Sequence, residues 1–354
     1  MLKDRIIKIK MFALGSHRVL GMLLTFLLTS QVFSQQDKEQ KQIKLIFAGD
    51  IMCHETQLSS AYDSVSDSYS FDSYFESVNP LIQSADMAFA NLETTFPGAI
   101  FSGYPAFGSP DNLLSSIKSA GFDCLFTANN HSLDKGHFGL ERTINMLNIN
   151  DILHTGTFGS QEEKDLTSPL LINLKGKIIA LINYTYGINS GHLPNKYLIN
   201  TIDTIAILRD INKSQEAKAD MILCFLHWGK EYNESQSSSQ EHLSNWLHAH
   251  GVKLVIGSHP HVVQPVVTYQ TDNAIVGITA YSLGNLISNQ RTGKRKNGLI
   301  LEVNLTIVDN KLEILNFIEH PTYVERSAKN KSGYYNYLIT LPSLPSPTSQ
   351  TAGL

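Results

Sequence analysis

The sequence predicts an α/β fold in which a mixed or mainly parallel sheet is covered by helices. Short β-branched-rich runs alternate with segments of helical period from residue 43 to residue 256, the pattern made by parallel strands joined through crossover helices. Carboxylate, amide and imidazole side chains fall at or just beyond the ends of those runs, where loops held by a rigid sheet carry function. After Gln264 the helical period disappears and the chain reads as successive strands. With 354 residues, 42% apolar and 17% charged, the chain can bury a large core, as one big α/β domain or two smaller ones. That composition excludes a disordered or fibrous protein.

Residues 1–34 follow a different logic. Lys3, Arg5, Lys8, Lys10 and Arg18 outnumber Asp4, residues 19–28 are almost wholly apolar, and Val32-Phe33-Ser34 leads to a cleavage point after Ser34. This is the layout of a secretory signal peptide. An apolar run of about ten residues is short of the roughly 20 that span a membrane comfortably. The protein is therefore expected to be exported, as a periplasmic or cell-envelope protein, with anchoring by an uncleaved N-terminal segment as the alternative. Removing residues 1–34 leaves 23 basic against 31 acidic side chains and moves the formal charge from −4 to −8, so nucleic acid is not an expected partner. The three cysteines make no disulfide framework: Cys124 and Cys224 lie in apolar runs as small hydrophobes, and Cys53 follows Asp50 closely.

After a polar leader over residues 35–42, residues 43–48 read as the first strand, which ends in Gly49-Asp50, with His54 four residues beyond Asp50. An Asp immediately after a strand serves catalysis or metal binding, or simply caps a loop. Residues 70–86 carry Phe71, Phe75, Val78, Leu81 and Ile82 at helical spacing, with Pro80 as an interruption. Residues 87–92 form a strand that delivers Asn91 and Glu93, and residues 94–110, rich in Gly, Pro and aromatics, form a long loop over one end of the sheet. Asp111 caps a helix to Ala120, with Gly121 as its stop. The strand 122–127 then ends in Asn129-Asn130-His131-Ser132-Leu133-Asp134. There Asn130 can offer a carbonyl oxygen to a metal, His131 can donate a proton or hold an anion, and Asp134 can orient an imidazole. An Asn-rich turn with a helix cap is the plainer account of the same residues.

Further along, residues 154–156 form a short strand, residues 170–174 and 178–184 a pair of adjacent strands, residues 185–200 a loop and residues 203–219 an amphipathic helix. Residues 221–226 deliver His227-Trp228-Gly229 and then Glu231, and residues 241–250 form the next helix. Leu254, Val255 and Ile256 end at Gly257, where a turn is expected, and His259 and His261 follow on either side of Pro260. Two imidazoles at the carboxyl end of a strand, with Pro260 restricting the backbone between them, suit metal binding, although H-x-H is also a common short pattern. Residues 266–270, 274–282, 298–308 and 311–320 suggest a second, more antiparallel sheet, with Asn285 at the end of one strand. Arg291, Lys294, Arg295 and Lys296 in the loop 289–297 are either a solvated face or the contact for an anionic substrate. The domain is expected to run from residue 43 to residue 320, followed by an extension over 321–354 whose Pro/Ser/Thr-rich end is mobile.

Asp50, His54, Glu93, Asn130, His131, His227, His259 and His261 together supply carboxylate, amide and imidazole without thiolate. Such ligands suit Mn, Fe, Zn, Mg or Co better than a closed cysteine site. Two divalent ions about 4 Å apart, sharing one carboxylate, would activate water and stabilise charge on a phosphoryl oxygen.

The strings LIFAGDIMCH, FANLETTF, LFTANNHSLDKG, ILCFLHWGKEY, VKLVIGSHPHVVQPV and YSLGNLI, in this order over approximately residues 43–290, resemble the capsule-synthesis or poly-γ-glutamate-synthesis proteins of the CapA/PgsA family. The domain of that family resembles the calcineurin-like metallophosphatases. The resemblance implies a calcineurin-like metallophosphatase fold, a two-sheet sandwich flanked by helices (α/β/β/α). It also implies Asp50, with His54, and His261 around one ion, Asn130, His227 and His259 around the other, Glu93 between them, and His131 as acid or anion-binding group. Two departures stand out: Ile51-Met52-Cys53 separate Asp50 from His54, where the family of phosphatases places its His two residues after Asp, and Glu93 stands where the bridging Asp is usual.

Two function classes are open to such a chain. One is a metal-dependent hydrolase acting on a phosphoester, a phosphorylated small molecule or an anionic envelope polymer, alongside membrane-bound polymer-synthesis proteins. The other is a non-catalytic polymer-binding or assembly protein on the same scaffold.

Overall fold

The computed structural model describes residues 42–189, 192–272, 274–327 and 335–342. The expected signal peptide over residues 1–34, nearly all of the polar leader and the end of the C-terminal extension lie outside the described residues. No helix among the described residues is long and apolar enough to cross a membrane.

The first strand, β1 (Gln42–Ile51), sets the architecture through its period of two. Ile43, Leu45 and Phe47 enter one core and Ile46, Ala48 and Ile51 another, so both faces of the strand are covered. The chain continues through α1 (Glu55–Ala61), the small hairpin β2 (Tyr62–Asp63) and β3 (Ser68–Tyr69), α2 (Asp72–Phe75) and α3 (Asn79–Gln83) to β4 (Met87–Leu92). The helical period over residues 70–86 is thus realised as two short helices, with Pro80 in the first turn of the second, where its missing N–H leaves no bond unmade.

Next come α4 (Asp111–Ala120), β5 (Cys124–Phe126), α5 (Gly136–Ile149), β6 (Leu153–Thr155), α6 (Gln161–Thr167), β7 (Leu170–Leu174) and β8 (Lys177–Thr185). Asp111 is not the cap expected of it: Pro110 occupies that position, and the Asp111 carboxylate accepts two 2.7 Å bonds from Arg142. Gly121 does stop α4, at a left-handed φ of 107°. Then follow α7 (Thr204–Glu216), β9 (Met221–His227), α8 (Ser238–Ala249), β10 (Leu254–Ser258), β11 (Val263–Thr271), β12 (Ala274–Leu283), β13 (Asn285–Ile287), β14 (Asn297–Val308), β15 (Lys311–Arg326) and β16 (Tyr337–Thr340). Asp203 caps α7 by accepting from the Ile205 N–H, and Ser237 with Gln240 forms a capping box on α8.

Apart from the β2-β3 hairpin, the strands form one sheet whose main path is β6-β5-β4-β1-β14-β15-β12-β10-β9-β8-β7. Two parallel blocks, β6-β5-β4-β1 and β12-β10-β9-β8, are joined by the antiparallel ladder of β14 and β15. The strands after Gln264 therefore do not make a separate antiparallel sheet. Of them, β14 and β15 bridge β1 and β12, the edges of the two parallel blocks, so that one continuous sheet makes both layers, while β11 pairs with β12 and β13 with β1. The inner core between the layers is an aromatic row, Phe47 on Phe89 at 4.9 Å, Phe89 on Phe126 at 5.7 Å and Phe126 on Phe225 at 4.3 Å. Leu113, Leu114 and Ile117 of α4 cover one outer face, and Ile207 and Ile211 of α7 with Leu247 of α8 cover the other. The result is the α/β/β/α sandwich.

Gly257 is not a turn. It lies inside β10, where a Cβ would stand 2.0 Å from the Tyr281 carbonyl oxygen and 2.5 Å from Trp228 Nε1. Its missing side chain makes room for the Trp228 indole, which donates to the Tyr281 carbonyl at 3.0 Å. At the other end of the chain, β15 runs past His320 to Arg326 and pairs with β16, whose Tyr337 and Ile339 are fully buried, so the fold continues to Thr340.

Candidate metal centre

The parallel strands end at a common edge, and their registers bring the strand-end residues to one place. Asp50 of β1 lies opposite Asn91 of β4, and His227 of β9 lies opposite Ser258 of β10. Asp50, Asn91, Glu93, Asn129, His227 and Ser258 are all at 0% exposure, which makes the centre an interior site reached from the strand ends.

Asn91 is its central connector. Its Nδ2 donates to Asp50 Oδ1 at 2.8 Å and to Glu93 Oε2 at 3.1 Å, while its Oδ1 accepts from Asn129 Nδ2 at 3.3 Å. His261 Nδ1 lies 3.0 Å from Asp50 Oδ2. His227 reaches across to the other layer: its Nε2 is 2.7 Å from Asn130 Oδ1, and its Nδ1 is 2.8 Å from Ser258 Oγ. His259 packs its ring 4.8 Å from that of His227 and 4.5 Å from that of Tyr186. Both His259 and His261 have positive φ, 96° and 56°. Left-handed backbone at a non-glycine residue costs about 1–3 kcal/mol, so the turn around Pro260 holds strain in order to aim both rings inward.

Among the described residues two groups of potential metal ligands result, Asp50 with Glu93 and His261, and Glu231 with His259 and His261; the ligand atoms of each lie within 4.8 Å of one another. The residues present fit a cation. Glu93 Oε1 is buried without a hydrogen-bond donor, 3.6 Å from His227 Nε2 and 3.8 Å from His261 Nε2, and His259 Nδ1 is likewise buried and unpartnered. A buried acceptor left unmatched costs about 1–3 kcal/mol, which a cation bound among these atoms would relieve. Burial, and after it the negative charge of Asp50, pushes the Glu93 carboxyl well above the usual carboxylate range. Burial, with neighbouring imidazoles adding to it, pushes His227 well down and His259 down to about 4. The imidazoles are thus neutral near pH 7, the form in which they bind metal.

Beside the centre, His131 Nδ1 meets Asp134 Oδ2 at 2.6 Å, and Asp134 also accepts from the Phe107 N–H at 2.6 Å. A carboxylate only accepts, so Nδ1 carries the proton and Nε2 is left facing the Asn189 amide at 3.3 Å. The Phe107 ring lies against His131 at 4.7 Å.

The remaining sequence candidates stand at different distances from this chemistry. His54 caps α1, with Nδ1 3.3 Å from Gln57 Oε1 and accepting from the Asn289 N–H at 3.2 Å, and it belongs to neither ligand group. Asn285 holds the following loop, donating to the carbonyls of Arg295 at 2.8 Å and His261 at 3.3 Å. Arg291 donates to the Val324 carbonyl, and Lys294 pairs with Glu234 on the surface at 2.7 Å. The Arg295 guanidinium lies 3.4 Å over the Tyr232 ring, which is 6.2 Å from the ring of His261. Asn91, Asn129 and Ser258 were not singled out from the sequence as site residues, although each sits at a strand end beside one that was. Tyr186 and Asn189 come from the aperiodic segment 185–200, where nothing in the sequence marks them.

A sequence model of the family described as bacterial capsule synthesis protein PGA_cap matches residues 44–290. The capsule biosynthesis protein CapA of Bacillus anthracis is 26% identical over 301 residues, covering 82% of this chain and 70% of that protein. The PGA biosynthesis protein CapA of Bacillus subtilis (strain 168) is 24% identical over 270 residues, covering 73% of this chain and 67% of that protein. Among solved structures, the calcineurin-like phosphoesterase YfkN from Bacillus subtilis is similar with a TM-score of 0.46 at 15% identity, over 80% of this chain and 90% of that one.

Proposed function

The chain belongs to the bacterial capsule synthesis protein PGA_cap family, and from that premise we propose that it is a metal-dependent hydrolase of the cell-envelope pathway, acting on a phosphoester or an anionic envelope polymer. The observation that carries the reading is the buried Asp50, Glu93 and His261 group with an unmatched Glu93 oxygen at its centre.

In this reading the cofactor is two divalent ions, Mn, Fe, Zn or Mg. Asp50 and His261, flanked by His54, would hold one, and Asn130, His227 and His259 the other, with Glu93 Oε1 between the two sets at 3.8 Å from His261 and 3.6 Å from His227. Bound divalent ions supply Lewis-acid polarisation of a phosphoryl or acyl oxygen and lower the pKa of water. The chain's own residues do the rest. As an imidazolium, with its second proton on Nε2, His131 would protonate a leaving oxygen or stabilise developing charge, while Asp134 holds the Nδ1 proton and fixes the ring. Arg295, braced on Tyr232 beside His261, is the cation best placed for an anionic substrate. Lys294 is already paired with Glu234, and Arg291 is turned to Val324. Asn285 acts at one remove, by holding the Arg295 backbone.

The names of the Bacillus relatives speak of capsule and PGA biosynthesis, which supports such a polymer as the substrate; in this reading its partners are membrane-bound polymer-synthesis proteins, and the signal-peptide layout of residues 1–34 sends it to the cell envelope. The position of His54, outside both ligand groups, favours the second reading, a polymer-binding or assembly protein. Metal analysis of untagged protein decides between them, followed by assays with added Mn, Zn, Fe and Mg on a phosphodiester, a phosphomonoester and poly-γ-glutamate. The hydrolase reading expects bound metal and turnover that a chelator abolishes. Polymer binding unchanged by full metal removal, with no turnover on any substrate, overturns it.

A further inference from the structure

We propose that Glu231 is a direct metal ligand that completes, with His259 and His261, a cation position on the solvent side of the centre. The inference rests on the metal-dependent reading above. Glu231 is exposed, yet its carboxylate lies within 4.8 Å of ligand atoms of two buried imidazoles. The backbone explains how it gets there. Beyond β9 the chain turns at Gly229, at φ 92°, and the Tyr232 N–H donates to the Pro260 carbonyl at 2.8 Å. That bond ties the segment carrying Glu231 onto the His259-Pro260-His261 turn. The second, independent sign of a ligand is His259 itself, 4% exposed, with an Nδ1 that has no hydrogen-bond partner.

The chemistry is that of two imidazoles and one carboxylate with the remaining positions open, a set that holds Zn, Mn or Fe and leaves room for substrate. His261 belongs to both ligand groups, so the outer cation position adjoins the inner Asp50 and Glu93 group; it is the position of the second ion, the one assigned above to Asn130, His227 and His259, and Glu231 adds a carboxylate to it. Glu231 also compensates for the first motif: His54 joins neither group, and Glu231 supplies an anionic ligand beside His259 and His261.

The test is metal stoichiometry and chelator competition on the full chain loaded with Zn or Mn, comparing wild type, Glu231→Gln and Glu234→Gln. Glu234 is a surface acid of the same segment, paired with Lys294. The expected result is that Glu231→Gln loses one class of bound metal, or binds it on the order of tenfold or more weakly, while the inner group keeps its metal and Glu234→Gln behaves as wild type. Glu231→Gln binding the same number of ions with unchanged affinity overturns this inference and leaves the metal-dependent reading standing. A wild-type chain that takes up no metal overturns both. Because Glu231 is exposed, the variant is expected to fold, and an unchanged melting curve after metal removal checks that.

Discussion

Asn130 Oδ1 and His227 Nε2 lie 2.7 Å apart although 97 residues separate them in the chain. Asn130 follows β5 in one layer of the sandwich and His227 ends β9 in the other, so the centre is assembled across the seam between the layers. The Phe126–Phe225 stack, at 4.3 Å, lies between the same two strands just below it. Packing between the layers and ligand geometry at their edge are therefore coupled.

His131 is held by Asp134 beside the centre whereas His259 lies within a ligand group, so the two are predicted to respond differently to removal. His259→Ala should lower metal occupancy, whereas His131→Ala should keep most of the metal and lose about 10²–10⁴-fold in turnover, the usual contribution of a general acid. Metal analysis and turnover on the same folded preparations test this. Equal metal loss in both variants would reject the division of roles.

Metal removal should destabilise the fold as well as stop turnover. A cation that binds only the folded chain adds about 2.7 kcal/mol at 100-fold excess over its dissociation constant, and stripping it leaves Glu93 Oε1 and His259 Nδ1 buried and unmatched. Thermal melts with and without chelator should show a clear drop in Tm, reversed on adding metal back. Superimposable melts would count against a bound cation.

Gly257→Ala should destabilise strongly although it adds only a methyl group. The new Cβ would lie 2.0 Å from the Tyr281 carbonyl oxygen, which is backbone of the neighbouring strand and cannot rotate away. Overpacking of this kind costs about 1–3 kcal/mol and occasionally more. Urea denaturation measures it, and a change below about 0.5 kcal/mol, the range of neutral surface substitutions, would show that β10 and β12 separate easily.

Acid should destabilise the fold in part through His248, which is not one of the centre's residues. Its Nδ1 donates to the Val252 carbonyl at 2.9 Å and its Nε2 lies 2.8 Å from Thr279 Oγ1. Burial, opposed by the Val252 bond and aided by the charge of Lys253, holds the imidazole at about 4, against 6.5 when free. Above pH 6.5 the group is neutral whether the chain is folded or not, and contributes no pH dependence. Between pH 6.5 and 4 the unfolded chain binds a proton that the folded chain refuses, so stability falls as pH falls, by about 1–3 kcal/mol in all. His248→Gln should flatten the stability profile across that window, and an unchanged slope would remove His248 from the account.

Most of the centre was legible because a parallel sheet places function at strand ends. Asp50, Glu93, Asn130, His227 and His261 each stand at or shortly beyond the end of an apolar run. The rest depended on contacts that a linear pattern does not carry. Gly257 looked like a turn because the steric demand that fixes it comes from Tyr281 on a neighbouring strand. Strands β14 and β15 looked like a second sheet because sequence shows their antiparallel order and not that β1 and β12 offer them edges. Tyr186 and Asn189 lie in a loop without period, and only its docking against His259 and His131 gives them a place.

The most direct test of the account is metal content in wild-type chain and in His261→Ala, since His261 belongs to both ligand groups. Elemental analysis of untagged protein, with circular dichroism to confirm folding, is predicted to find two equivalents of divalent metal in the wild type and a folded variant that has lost at least the equivalent held with Asp50 and Glu93. A wild-type chain without metal, or a His261→Ala variant that keeps its full complement, would contradict the account.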